Sequence, residues 1–549
     1  MNIGRIPAKT ARMQPQQPAL IDIPNDRRIS YGELDERVRR LANGLLESLG
    51  AEKGDRIAVL SKNCIEYMEL YFACARVGLV LQPLNWRLGT AELARIIEDG
   101  EPRALAYAGD FDEVVDALGT QVTLPHWLRF GPDGDYEKLI AAAGDAEPSV
   151  ADSVGDHDPV LILYTGGTTG RSKGALHTHR SLFTGMVNQT VAERVQRDDV
   201  YMLTGQMFHI PVVLAMNYMA HGCPVVLINF EARLALEVIE RERVSAFLGV
   251  TTMLNWMMAV EDFDRFDLSS LRNIQYGGGP MPRKVVEAAL AAFPCSIIQG
   301  YGQTEGMTMS FLSQEDHRAA VEGEHAGRLS SCGREAFMTT LRVVDGQGND
   351  VPRDGQTPGE IIVSSEANMV GYWRQPEQTA ETLRDGWLYT GDVATWDEAG
   401  YVYIVDRAKD MIISGGENIF STQVEAAIHQ HPAVLESAVF GVPDEEWGEA
   451  VKAVVVLKPG MSATEAEIIK TASEHLASYQ KPRSVDFVES LPKAPTGKIL
   501  KRDLRDFVRF CGASKELHKK LKHQQHWHQH QRQRQHQRHL TSHLHGQMM

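Results

Sequence analysis

The sequence predicts a protein of mixed α/β and α+β class: a large N-terminal domain of helix-covered sheets with a β-rich subdomain, then a small α+β C-terminal domain. Three observations lead there. Short apolar strands alternate with amphipathic helices between residues 31 and 260, the pattern of parallel or mixed sheets covered by helices. Turn signals crowd residues 330–405. A chain of 549 residues also exceeds what one compact core holds.

Taken in order, Ser30 is a plausible N-cap, with Glu33 three residues on completing a capping box. Leu34, Val38, Leu41, Leu45 and Leu49 then recur at helical spacing, and Gly50 stops the helix. A strand at 57–60 and a helix at about 64–77 follow. The alternation repeats at 160–164 then 178–192, at 225–228 then 232–242, and at 246–250 then 252–260. Within 330–405, Asp345-Gly346, Pro352 to Gly355, Pro358-Gly359 and Glu398 to Gly400 separate short strands. Past Arg407 the pattern predicts a helix at 421–430, strands near 434–440 and 451–457, a helix at 463–477 and a last helix near 501–510. The domains are therefore placed at 1–406, 407–511 and 512–549, with the β-rich subdomain at about 330–405. The last segment is nearly all His, Gln and Arg, with too few apolar side chains for a core. Metal or polyanion binding is its functional reading; a disordered tail or an altered reading frame is the plainer one.

Composition narrows the function classes. A net charge of −16 argues against nucleic-acid or anionic-membrane partners, which need clustered positive surface. Cys64, Cys74, Cys223, Cys295, Cys332 and Cys511 lack CxxC spacing, which suits free thiols in a reducing compartment. The first residues have no apolar signal region, and no stretch reaches the roughly 20 apolar residues of a membrane span. The greasy run at 68–81 is broken by Glu69, Arg76 and Gly78. A cytoplasmic protein without an integral membrane segment is expected; a homodimer is kept open.

Chemistry enters at Tyr164-Thr165-Gly166-Gly167-Thr168-Thr169-Gly170-Arg171-Ser172-Lys173-Gly174, directly after an apolar strand. Glycines let backbone N–H groups approach a polyanion, and the threonines and Lys173 add donors. The order Ser172-Lys173-Gly174 is not a Walker A loop, which needs G-K-[S/T]. Further motifs are Tyr301-Gly302-Gln303-Thr304-Glu305, Tyr389-Thr390-Gly391-Asp392, Asp406-Arg407-Ala408-Lys409-Asp410 leading into Ser414-Gly415-Gly416-Glu417, and Pro492 to Lys498 ending Thr496-Gly497-Lys498. In type, order and spacing these resemble the adenylate-forming family of acyl-CoA synthetases, luciferases and peptide-synthetase adenylation domains, over about residues 15–510. Gly166 stands where that family has serine and Ser172 where it has proline, which should loosen the loop.

The resemblance implies an ATP-dependent acid:CoA ligase, with ATP and CoA as co-substrates and Mg²⁺ as the metal. The reaction joins two anions, so the demand is electrostatic. By the same likeness Thr165, Gly167, Thr168, Thr169, Gly170, Lys173 and Thr304 would meet the phosphates, and Glu305 with Thr168 would hold Mg²⁺. Gly278, Gly279 and Tyr301 would border adenine, Asp392 would hold the ribose, and Arg407 would reach the same ribose or the phosphates unless it is an interdomain ion pair. Lys498 would be the catalytic lysine, and Lys409 the hinge that exchanges it for Gly415, Gly416 and Glu417 in the thioester step. Trp447 either contacts CoA or packs. His209 gates the acyl pocket, polarises the carboxylate, or is structural. The wall expected from Pro211 to Leu214, Thr251 to Met253, Gly277 to Gly279 and Met307 is apolar and carries no Arg or Lys, which favours a hydrophobic monocarboxylate. The alternatives are an adenylation enzyme that loads a carrier protein and a catalytically inactive binding protein.

Overall fold

A computed structural model describes residues 1–165, 172–279, 281–407, 409–414, 417–444, 447–493 and 499–511. The chain divides into two units, Met1–Ile404 and a second from Val405 onward.

In the first unit, Ser30 accepts from the Glu33 amide and Glu33 returns a bond to the Ser30 amide, so the expected capping box opens the helix Tyr31–Glu47. The helix ends two residues earlier than its apolar spacing predicts. Leu49 and Gly50 lie beyond the cap Ser48, with Gly50 at φ +59°. Two parallel-cored sheets follow, counted among the described residues. A nine-stranded sheet runs from Arg334–Glu335 through Met307–Leu312, Ser296–Gln303 and Asn273–Gly277 to Arg27–Ser30. A seven-stranded sheet centres on Pro159–Thr165, Val80–Pro83 and Arg56–Leu60. Antiparallel strands finish both edges of the first sheet and one edge of the second, whose other edge strand, His126–Arg129, pairs in parallel. The strands flanked by helices on the sheet faces read as continuous apolar runs because both faces are buried.

One edge pairing is absent from the sequence reading. After the glycine-rich loop the chain forms the strand Lys173–Thr178, antiparallel to Pro159–Thr165, before the helix His179–Glu193 begins. The loop is therefore carried by a β-hairpin. The region 330–405 is β-rich as expected: Thr340–Val344, Gly359–Ser364 and Trp387–Trp396 form an antiparallel sheet around Leu341, Val343, Ile361, Leu388 and Trp396.

In the second unit, Gly448–Leu457 lies at the centre of a sheet with Val434–Asp444, Ile412–Ser414 and Ser484–Phe487. The helices Ser421–Ile428 and Glu465–Ser473 bury Val424, Ile428, Ile468 and Ala472 against it. Among the described residues no helix is long and apolar enough to cross a membrane.

Candidate active site

Thr304 and Glu305 sit at the tip of a tight hairpin between Ser296–Gln303 and Met307–Leu312, with Gln303 opposite Met307. The register shifts between Tyr301 and Gly302. A Cβ on Gly302 would lie 1.8 Å from the Met307 carbonyl oxygen, so only glycine lets the strands close here. Met307 takes φ +57° and is buried in the same core cluster as Val212, Val213 and Leu214. That joins four of the residues expected in the acyl wall.

The hairpin tip is tied to the glycine-loop strands by two residues the sequence did not single out. The imidazole Nε2 of His177, on Lys173–Thr178, bonds the Thr304 carbonyl at 2.8 Å, and its Nδ1 meets the Ser181 hydroxyl at 3.1 Å. Burial pushes His177 down to about 4, so it stays neutral. The Tyr372 hydroxyl donates to Glu305 Oε1 at 2.8 Å, and the Lys173 ammonium lies 4.9 Å from the Tyr372 ring centre. Burial first, then the Glu305 charge, raise the Tyr372 phenol, which stays protonated as the donor. Partners separated by 67 and 127 residues leave no local signal.

The loop's roots are also anchored. Tyr164 donates to Asp99 at 2.6 Å, and Ser172 donates to Glu92 at 2.9 Å, both carboxylates on the helix Thr90–Gly100. Ser172, expected to loosen the loop in place of proline, is thus held by its hydroxyl. Thr165 Oγ1 lies 3.5 Å from the Lys173 carbonyl. Gly166, Gly167, Thr168, Thr169 and Gly170 lie outside the described residues.

Tyr301 is buried in the β-rich core and donates to Asp392 Oδ2 at 2.7 Å. Asp392 follows Gly391, at φ +69°, and its amide donates to the Thr390 hydroxyl at 3.1 Å. Glu360, which the sequence reading missed, accepts from the Gly391 amide at 2.9 Å. Gly278 takes φ +74°, and a Cβ on Gly278 or Gly279 would meet nothing within 4 Å. That open space suits close approach of a flat ligand.

His209 follows Phe208, which packs edge-on against Trp86. Its Nε2 is sealed from solvent with no hydrogen-bond partner among the described residues, and burial, then the Arg87 charge, push it down to about 4. Arg87 stacks over Trp86 at 4.9 Å and Phe208 at 6.0 Å. It brings a positive charge to the His209 end that the apolar-wall reading did not include.

In the second unit, Ser414 pairs opposite Glu417 across Gly415 and Gly416, which lie outside the described residues. Trp447 is 40% exposed, with the Arg483 guanidinium 5.4 Å over its ring. Arg407 ends the strand Val402–Arg407, and its amide donates to Asp406 Oδ1 at 2.7 Å. Asp406 Oδ2 accepts from the Ser421 amide. Lys409 precedes Asp410, which pairs with Arg505 at 3.0 Å. Lys498 lies outside the described residues. Glu305, part-exposed and held at one oxygen, offers the single carboxylate with which Mg²⁺ is usually bound alongside substrate phosphates.

Comparison with known proteins adds to this geometry. A family model described as "AMP-binding enzyme" matches residues 7–373, and its C-terminal-domain model matches 423–498. The chain is similar to a feruloyl-CoA synthase from Amycolatopsis sp., 38% identical over 506 residues that cover 92% of this chain and 98% of the relative. It is also similar to a fatty acid–acyl-carrier-protein ligase from Streptomyces coeruleorubidus, 34% identical over 512 residues, 92% of this chain and 95% of the relative. Among solved structures, a Mycobacterium tuberculosis fatty acyl CoA synthetase matches with a TM-score of 0.74 and 33% identity, covering 92% of this chain and 98% of that one.

Proposed function

The chain belongs to the AMP-binding enzyme family of adenylate-forming ligases, and from that premise we propose that it activates a hydrophobic monocarboxylate as an acyl-AMP and transfers the acyl group to CoA. The observation that carries the reading is the convergence of Lys173 and Glu305 on Tyr372, beside the root of the glycine-rich loop.

An ionised carboxylate attacks the α-phosphate of ATP, and pyrophosphate leaves. An acid of ordinary pKa is already ionised near neutral pH, so no general base is required. The barrier is the approach of two anions, which preorganised positive charge and donors lower. Thr165, Thr168, Thr169, Lys173 and Thr304 would donate to the phosphates, and Gly167 and Gly170 would let the backbone approach them. Magnesium, when bound, supplies charge neutralisation at the phosphate oxygens, and Glu305 with Thr168 would hold it. Asp392, oriented by Tyr301, would accept the ribose hydroxyls, and Arg407 would serve the ribose or the phosphates. Gly278 and Gly279 leave room for adenine. Lys498 would supply the positive charge that bridges carboxylate and α-phosphate, a role for a compact point charge. In the second step a turn at Lys409 exchanges Lys498 for Gly415, Gly416, Glu417 and Trp447, which admit CoA. The thiolate then attacks the acyl carbonyl and AMP departs.

The apolar side chains Val212, Val213, Leu214 and Met307 support a hydrophobic acid, and His209 with Arg87 supports a polar contact at one end of it. The test is acid-dependent ATP–pyrophosphate exchange across fatty and aryl-propenoate acids, followed by AMP and acyl-CoA release when CoA is added. No exchange with any acid overturns the reading. Similarity to a carrier-protein ligase supports a second acceptor; acyl transfer that requires a phosphopantetheinylated carrier and ignores CoA would select it.

A further inference from the structure

We propose that Tyr372 is a positioning residue that keeps Lys173 and Glu305 apart as two separate charges, each ready for Mg·ATP. The inference rests on the activation reading above.

Tyr372 belongs to the short strand Gly371–Tyr372, which pairs antiparallel to Lys173–Thr178 with Tyr372 opposite Ala175. Its neighbour Trp373 donates its amide to the Gly174 carbonyl at 2.7 Å. A Cβ on Gly174 would lie 2.6 Å from Ile162, so the strands fit this closely only with glycine there. The Tyr372 amide donates to the Thr379 hydroxyl at 2.9 Å, which in turn donates to the Gln375 carbonyl at 2.8 Å. The root of the side chain is therefore held on both sides.

From that root the ring presents two different surfaces. Its edge hydroxyl donates to the Glu305 carboxylate, a charge-assisted bond that also fixes the carboxylate's rotation. Its face receives the Lys173 ammonium, as a cation–π contact requires. An ammonium and a carboxylate close enough to meet would attract each other. Among the ion pairs of the described residues Lys173 and Glu305 do not meet within 4 Å; each meets the Tyr372 ring or hydroxyl instead. Had they paired, the nucleotide would first have to break that pair. Tyr372 removes this cost by giving the acid a donor and the base an aromatic face.

Two variants separate the surfaces. Tyr372→Phe keeps the face and removes the hydroxyl; Tyr372→Leu removes both. Calorimetry of a non-hydrolysable ATP analogue, with and without Mg²⁺, gives a readout independent of turnover. Tyr372→Phe should raise the Mg²⁺ needed for half-saturation about tenfold, the weight of one charge-assisted hydrogen bond. Tyr372→Leu should in addition weaken the metal-free analogue several-fold through Lys173. In both, thioester formation from supplied acyl-AMP should stay within about twofold of wild type. Binding like wild type in both variants overturns the proposal, as does equal loss of the two half-reactions. Wild-type protein that binds Mg·ATP but exchanges no pyrophosphate overturns the activation reading instead, while the calorimetric comparison still decides Tyr372.

Discussion

His177 shows how much of the site depends on a single neutral imidazole. It bridges the Ser181 hydroxyl at the start of one helix and the Thr304 carbonyl at the hairpin tip, so both must stay in register with the strand Lys173–Thr178. His177→Phe keeps the ring's bulk but takes the partner from the Thr304 carbonyl, while the Ser181 hydroxyl keeps its bonds to the Thr178 amide and carbonyl. The expected loss is about 1–3 kcal/mol in a denaturant titration. Because Thr304 shifts with its carbonyl, pyrophosphate exchange should fall further than thioester formation from acyl-AMP; equal effects would make the residue structural only. The sequence pointed to Thr304 and Glu305 through their motif, and the structure brings them to one tip. It pointed to neither His177 nor Tyr372, because a residue that acts by holding another carries no signature of its own. Ser172 teaches the converse. As a departure from the proline pattern it predicted looseness, but Glu92, 80 residues away, supplies a restraint that no local reading contains.

The hairpin Ser296–Gln303 to Met307–Leu312 is the element that converts a linear motif into a site, and its glycines are not equivalent. Gly302→Ala would force a Cβ to 1.8 Å from a backbone oxygen, which cannot rotate aside. Gly279→Ala meets open space at ordinary φ. Thermal or denaturant unfolding should therefore show Gly302→Ala destabilised by more than about 2 kcal/mol and Gly279→Ala by less than about 0.5 kcal/mol, the range of an uncrowded surface change. Equal effects would mean that the strand crossing at Gly302 is looser than its geometry requires. Helices were the legible elements: Ser30 and Glu33 announced their capping box, and the helices after residues 160, 225 and 246 lie within a few positions of their apolar spacing. The strand Lys173–Thr178 was not legible. Its residues alternate in burial only weakly, and its partner is the strand before the loop, so the pairing exists only once the loop has turned back.

At the scale of the molecule, buried titratable groups set a pH window for stability. His177, His179 and His209 are each held near 4 by burial against an ordinary 6.5. The unfolded chain takes up protons there that the folded chain refuses, so their contribution is whole above about 6.5 and is lost as the pH falls towards about 4. Burial pushes Glu193 up to about 7 from 4.5, against the lowering effect of the Tyr218 hydroxyl that donates to it at 2.9 Å. Glu193 binds a proton in the folded chain that the unfolded chain releases, so its contribution is whole below 4.5 and lost as the pH rises through about 7. The two effects oppose each other between about 4.5 and 6.5, where three imidazoles outweigh one carboxyl, so denaturation midpoints should fall as the pH drops through that range, and Glu193→Gln should make the fall steeper. The division of the chain into two units carries the last prediction, since the proposal assigns different residues of the second unit to the two half-reactions. Lys498→Ala should cut acid-dependent pyrophosphate exchange by at least about 100-fold, the weight of a charge acting only on the transition state. Thioester formation from supplied acyl-AMP should stay near wild type, because the attacking thiolate and departing AMP do not need that lysine. Trp447→Ala should give the reverse pattern, with exchange intact and the CoA concentration at half-rate raised. If Lys498→Ala loses both half-reactions equally while its melting temperature is unchanged, the division of labour is wrong even though adenylate chemistry stands. If it loses neither, the charge that joins the two anions must come from the first unit, where Lys173 is already placed beside the loop.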